Sequence, residues 1–266
     1  MGVLNVTPDS FSDGGRYLDT QRAIEHGLAL ARDGADILDV GGESTRPGAE
    51  SVGVDEELAR VVPVIDALKK DTSCVLSIDT RKARVAAAAL ARGAHILNDV
   101  SALTADPDMP AVAREHGAGV ILMHMRGQPK NMQDDPRYVD VVTEVAVYLK
   151  LRCERLAEAG LAMESMAVDP GIGFGKTLEH NIQLLVRLDE LARLGRPVVL
   201  GLSRKSFLGK ITGRDVEDRL AGSLGAAAYA ILRGAHVIRV HDVKESCDVA
   251  RLMDIFRREE ALHGPA

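Results

Sequence analysis

Short apolar runs recur along this chain, and each one ends in hydrogen-bonding or charged residues. Eight such runs occupy residues 1–6, 37–40, 74–78, 95–97, 120–125, 166–168, 198–202 and 237–240. The segments between them carry helical spacing, as in Leu58, Val61, Val62, Ile65 and Leu68, or in Val141, Val145, Tyr148, Arg152 and Leu156. Pro63 falls inside the first of these and predicts a kink or a late start to its helix. Strands that alternate with helices pair in parallel. Eight such units in 266 residues predict an α/β fold, the (β/α)8 or TIM barrel, which needs about 250 residues. "RDGAD", "ARGAH", "EHGAG" and "LRGAH" stand just before the second, fourth, fifth and eighth runs. Each reads as a helix C-terminal glycine and then a small residue entering a strand. The alternative, a doubly wound sheet, needs a glycine fingerprint after its first strand, and "NVTPDSFSDGG" is not one. No linker or low-complexity stretch interrupts the rhythm, so residues 1–266 read as a single domain.

Composition enters by exclusion. Net charge is −6, tryptophan is absent and aromatics are 3%, which argues against nucleic-acid binding through a basic, stacking face. An anionic ligand must therefore be held by a local cationic cluster. No apolar run reaches the roughly 18 residues that span a bilayer, and the start lacks a signal-peptide pattern. Cys74, Cys153 and Cys247 are widely spaced and show no metal-binding pattern. The chain reads as cytosolic, with thiols kept reduced.

Barrel enzymes carry their sites at the C-terminal ends of the strands. Those ends read "LNVTPDSFSD", "DVGGESTRPG", "SIDTRK", "LNDVSA", "MHMRG", "DPGIGFGK", "GLSRKSF" and "RVHDV". Singly, Asp79 and Asp169 could cap the following helices, Asn98 could satisfy buried backbone, Arg204 and Lys205 could be solvated, and Arg239 and His241 could pair with Asp242. Falling together on one rim, they predict a binding site instead, because buried carboxylates without a partner are costly. Two carboxylates and an amide suit the donor-bearing edge of a flat heterocycle such as a 2-amino-4-oxo pyrimidine, with Lys205 facing a carbonyl or ring nitrogen. Arg204, Arg239 and His241 suit phosphate, and the Asn5 oxygen suits Mg2+ beside a diphosphate. "PGIGFGKT" misses the Walker pattern, because Pro170 stands where its first glycine must be. Its glycines instead let the backbone turn closely past a ligand. The long connections "GGESTRPGAESVG" and "RGQPKNMQDDPR" read as active-site loops.

These eight motifs, taken in order from residue 1 to about residue 255, resemble those of dihydropteroate synthases. The resemblance implies a (β/α)8 barrel, a homodimer, and condensation of 6-hydroxymethyl-7,8-dihydropterin diphosphate with p-aminobenzoate to dihydropteroate and diphosphate. It implies that Asp79, Asn98, Asp169 and Lys205 hold the pterin ring, with Met123, Phe174 and Gly201 lining its pocket. Asn5 would bind Mg2+, and Thr45, Arg239 and His241 would meet the diphosphate. Phe11, Ser12, Thr45, Arg46, Pro47 and Ser206 would form the p-aminobenzoate site, which sulfonamides mimic. Asp79, Asp169 and Lys205 are the expected catalytic residues. Family members usually carry a short segment ahead of the first strand, whereas Met1 here lies in the strand itself. The small-residue run "LAGSLGAAAYAILRGA" is a candidate packing helix for the dimer. A pterin-binding methyltransferase that serves a corrinoid protein is the nearest alternative, but it has no use for "GGESTRPG" or "SRKSF". A pterin-binding module without turnover is the alternative outside enzymes, and the intact set of groups argues against it.

Overall fold

Residue alternation along each strand decides which side chains face the helices and which face the barrel axis. The structure, a computed structural model, describes residues 1–7, 15–44, 51–127 and 131–263. Its elements are β1 (Gly2–Asn5), α1 (Gly15–Arg32), β2 (Ile37–Gly41), α2 (Val54–Asp71), β3 (Val75–Asp79), α3 (Ala83–Ala91), β4 (Ile96–Asp99), α4 (Met109–Glu115) and β5 (Gly119–Met123). There follow α5 (Val141–Glu158), β6 (Met166–Asp169), α6 (Leu178–Val186), α7 (Leu188–Ala192), β7 (Val199–Gly201), α8 (Ser206–Thr212), α9 (Leu220–Leu232), β8 (Val237–Arg239) and α10 (Val243–His263). Strands β1 to β6 pair in parallel in chain order, and β7 pairs with β8. Bridges from Gly2 to Val240 and from Val168 to Val198 join the two sheets. The Val3 N–H donates to the Val240 carbonyl and the Val168 N–H to the Pro197 carbonyl, both at 2.9 Å. The ring is thereby closed as the (β/α)8 barrel that the rhythm predicts.

Outward residues of the strands, among them Leu38, Val40, Leu76, Ile78, Leu97, Leu122, Val168 and Leu200, join helix residues in one buried core. Each fully buried aliphatic side chain contributes roughly 1.5–3 kcal/mol relative to exposure. This outer shell holds the ring together, so the lumen is free to carry polar groups. At the lumen's lower end Met1, Ile121 and Val199 pack with Ile37, Ile96, Ala167 and Val237. Two residues further along the same inward rows stand Asp39, Asn98, Asp169 and Arg239. The strands thus change from apolar to polar toward their C-terminal ends.

Helix ends follow the glycine repeats. Gly34, Gly93, Gly117 and Gly234 all have positive φ. The next residue in each case, Ala35, Ala94, Ala118 and Ala235, donates its N–H back five residues into the helix at 2.9–3.1 Å. That is a Schellman end, which turns the chain directly into the following strand. Helix α2 corrects one expectation. It does not start late at Pro63, but begins at Val54 and runs through it. Pro63 is exposed there, so the carbonyl that loses its donor is free to meet water, while Val61, Val64, Ile65 and Leu68 bury the opposite face. Asp79 and Asp169 do not cap helices: the N-caps of α3 and α6 are Lys82 and Thr177, and Thr177 forms a capping box with His180.

Candidate active site

Strand register levels the site. Asn5 pairs with Gly41, Gly41 with Asp79, and Asp79 with Asn98. Across the ring Met123 pairs with Asp169, and Gly201 with Arg239. The sequence-selected residues therefore share one rim of the barrel. Asn98, Met123 and Asp169 are buried, while Asn5, Asp79, Lys205, Arg239 and His241 are partly buried.

The centre of the rim is an ion network that was not fully legible in the sequence. Arg239 Nε donates to Asp39 Oδ2 at 2.6 Å, and Arg239 Nη2 donates to Asp79 Oδ2 at 2.9 Å. Asn98 Nδ2 donates to the same Asp39 Oδ2 at 2.9 Å. Asp39 is 0% exposed, and its other oxygen has no hydrogen-bond partner. Arg239 is thus tied to two acids and not to Asp242, whose partner is Arg204. One guanidinium faces two carboxylates in a low-dielectric lumen. Burial pushes Asp79 up to about 7, against the pull of Arg239 and with the help of Asp39, Asp99 and Glu57.

On the opposite side, Asp169 accepts the Gly171 N–H at 2.7 Å. Burial raises its pKa, against Lys205 and that hydrogen bond. Lys205 reaches back to donate to the Ile172 carbonyl and lies 4.9 Å from the centre of the Phe174 ring. Burial lowers Lys205 to about 8, with Asp169 opposing. A Cβ at Gly201 would stand 3.6 Å from Lys205 Nζ, so the glycine leaves the ammonium its room. His241 pairs through Nδ1 with Ser203 Oγ at 3.1 Å, and Ser206 opens α8 beside Lys205.

The "GIGFG" glycines serve a different purpose from the expected one. Gly171 and Gly175 have positive φ, and a methyl group at either would overlap the carbonyl oxygen of His124 or Arg126. At these two glycines the close approach is to the β5 exit backbone. Lys176, the decoy lysine of the near-Walker motif, turns inward. It is 3% exposed, donates to the Phe174 carbonyl at 2.9 Å and lies 3.0 Å from His124 Nδ1. Burial lowers Lys176 to about 7 and His124 to about 3. The pair locks the β5 and β6 exits together beneath Phe174. Sequence reading did not single out Asp39 or His124, and it met Lys176 only as the decoy lysine of the near-Walker motif. An acid at an inward position of an otherwise apolar strand was the signal available for Asp39. The second loop is anchored at its feet: Glu43 accepts the Val52 N–H at 3.3 Å and pairs with Arg81 and Lys82. Phe11, Ser12, Thr45, Arg46 and Pro47 lie outside the described residues. Among the described residues, no group of three or more His, Cys, Asp or Glu side chains could hold a metal.

A barrel whose mouth gathers acceptors on one side and cations beside them is a small-molecule enzyme with a site for a flat, donor-edged ligand. The sequence pattern of the pterin binding enzymes matches residues 1–241. Dihydropteroate synthase of Escherichia coli K12 is 47% identical over 254 residues, covering 96% of this chain and 90% of the relative. That of Synechocystis is 44% identical over 259 residues, covering 97% and 90%. Among solved structures, Yersinia pestis dihydropteroate synthase in a sulfonamide drug complex superposes with TM-score 0.92 at 44% identity, covering 97% of this chain and 94% of that one. The Xanthomonas albilineans enzyme with 7,8-dihydropteroate gives TM-score 0.87 at 44% identity, covering 97% and 92%. The same enzyme with 4-aminobenzoic acid gives 0.90 at 46% identity, covering 100% and 93%. The chain belongs to the dihydropteroate synthase family of pterin-binding enzymes, the transferases of folate biosynthesis.

Proposed function

We propose that this chain, as one barrel domain over residues 1–266, joins 6-hydroxymethyl-7,8-dihydropterin diphosphate to p-aminobenzoate, giving 7,8-dihydropteroate and diphosphate. The observation that supports this reading is that Asp79, Asn98, Asp169 and Lys205 all lie at the C-terminal ends of barrel strands or just beyond them, with Lys205 acting electrostatically on Asp169. Three acceptors meet the donors of a 2-amino-4-oxo ring, and the ammonium meets its carbonyl or a ring nitrogen. Met123, Phe174 and Gly201 form the pocket wall. Arg239 and His241, with Thr45, receive the diphosphate, for which Arg239 keeps part of its surface open while it holds Asp39 and Asp79. Phe11, Ser12, Thr45, Arg46, Pro47 and Ser206 hold p-aminobenzoate.

The bond from the pterin methylene to the diphosphate oxygen breaks, and a carbon–nitrogen bond to the aryl amine forms. The amine's proton leaves to solvent. An electron-rich pterin stabilises the cationic methylene, so the step is dissociative. Asp79 and Asp169 support that cation, and Arg239 and His241 stabilise the departing charge. The amine is neutral at pH 7 and needs positioning more than a base.

Asn5 stands at the β1 exit with its amide oxygen toward Gly41, 3.8 Å from where a Cβ there would lie. A single side-chain oxygen fits Mg2+, which keeps several waters and takes its remaining ligands from substrate phosphates. When bound, the metal would neutralise diphosphate charge.

Incubated with both substrates and Mg2+, the protein should release diphosphate only when p-aminobenzoate is present. Chromatography would show dihydropteroate in equal amount. No release, or transfer of a methyl group from methyltetrahydrofolate, would reject the assignment. The pH dependence follows from Asp79. Below about 7 it is protonated and no longer a pure acceptor. The kcat/KM for the pterin substrate should therefore fall about tenfold per unit as pH drops below 7, and level off above it. A profile flat from about pH 5 to 8 would remove Asp79 from the pterin edge.

Exposed Tyr229 and Leu232 on α9 and Leu252, Ile255 and Phe256 on α10 offer an apolar surface for a homodimer, and sedimentation as a monomer would reject it. No described helix is long and apolar enough to cross a membrane, and Cys74, Cys153 and Cys247 are free thiols. Both observations support a cytosolic enzyme.

A further inference from the structure

Asp39 lies one inward position below the rim on β2, and it touches two groups of the site without belonging to the pocket wall. Its Oδ2 accepts from Asn98 Nδ2 and from Arg239 Nε. An asparagine amide has nearly the same shape in either orientation, so sterics alone do not decide which end faces the ligand. A carboxylate paired with a guanidinium can only accept. The Asn98 NH2 must therefore turn to Asp39, and the planar amide turns its oxygen the other way. Asn98 is 7% exposed and Asp39 is 0% exposed, so water cannot supply that constraint instead. The second Asp39 oxygen, buried without a partner, is a cost that a serine or alanine would avoid.

We propose that Asp39 is a positioning residue that fixes the Asn98 amide as an acceptor toward the pterin pocket, and so selects ligands whose ring edge donates at that point. The inference rests on Asn98 contacting the pterin. A 2-amino-4-oxo ring meets the condition, whereas a 2,4-dioxo ring presents an oxygen where the amino group stood. Loss of Asp39 frees the amide to turn over and offer N–H to either ring. Arg239 also loosens, but that change acts on both rings alike, so the ratio of their affinities isolates the amide.

The experiment compares calorimetric binding of 6-hydroxymethylpterin and 6-hydroxymethyllumazine to the wild type, Asp39→Asn, Asn98→Ala and the double variant. The preference for the pterin should drop about tenfold in Asp39→Asn. KM for the pterin diphosphate should rise, while KM for p-aminobenzoate stays within twofold. In the Asn98→Ala background, Asp39→Asn should leave the preference unchanged. Equal weakening of both ligands in Asp39→Asn would make Asp39 merely structural and overturn the proposal. Wild-type pterin binding by Asn98→Ala would instead reject the Asn98 assignment beneath it. Should Asp39→Asn not fold, the wild type still decides. By NMR its Asn98 side-chain NH2 should keep slow solvent exchange, with little shift, when 6-hydroxymethylpterin is added. A large shift of that NH2 would overturn the proposal.

Discussion

Replacing Lys205 with methionine is expected to lower kcat/KM for the pterin substrate by roughly 10²- to 10³-fold, and to abolish calorimetric binding of 6-hydroxymethylpterin. Two losses combine. The ammonium itself disappears from the ring carbonyl or nitrogen. Asp169, which Lys205 holds down against the effect of burial, then moves further up in pKa, so that its neutral form is favoured more. The fall in kcat/KM corresponds to about 3–4 kcal/mol of lost transition-state stabilisation, since each 1.4 kcal/mol is about tenfold. Methionine keeps the stem that packs beside Phe174, so the thermal midpoint should move little. The second loss also gives the variant a signature. Raising the pH favours the ionised form of Asp169 and should recover part of the deficit. Activity within a few-fold of wild type at pH 7.5 would remove Lys205 from the site.

Much of the barrel was legible because its information is local. An outward Leu38 and Val40 alternate with an inward Ile37 and Asp39, and the exit glycine follows at Gly41. Such a strip announces a strand buried on both faces and polar at one end, whatever its partners are. The helix ends were equally local, since Gly34, Gly93, Gly117 and Gly234 each need only their own turn to form a Schellman end. Pro63 suggested a late start because a proline fits a helix's first turn, whereas inside the helix an exposed carbonyl can go unpaired at little cost.

What was not legible is long-range pairing. Arg239 and Asp39 are 200 residues apart, and Asn98 and Asp39 are 59 apart. No spacing rule links them; only ring closure does. Arg239 therefore read as a phosphate ligand alone, although it is first the counterion of two acids. Lys176 read as a failed phosphate loop, although its role is to hold Phe174 and His124.

The counterion role makes the second large prediction. Arg239→Met should destabilise the fold by about 3–5 kcal/mol, because Asp39 and Asp79 would lose the only cation hydrogen-bonded to them among the described residues. For a chain of this size that is a fall in Tm of roughly 10 °C. The pH dependence of this loss has a definite sign. Asp79 already sits well above its ordinary 3.8, and losing Arg239 raises it further. Between the unfolded and folded pKa values the native state binds more protons than the unfolded chain, so stability falls as pH rises. The variant's deficit should therefore be largest near pH 8 and shrink toward about pH 5, where Asp79 can be neutral. A second substitution, Asp79→Asn, should restore part of the loss at pH 8 by removing one of the two stranded charges, and it should have little effect at pH 5. Thermal melts of the single and double variants across that range check both statements. A deficit that grew on acidification would mean that Arg239 is not what favours the ionised form of Asp79.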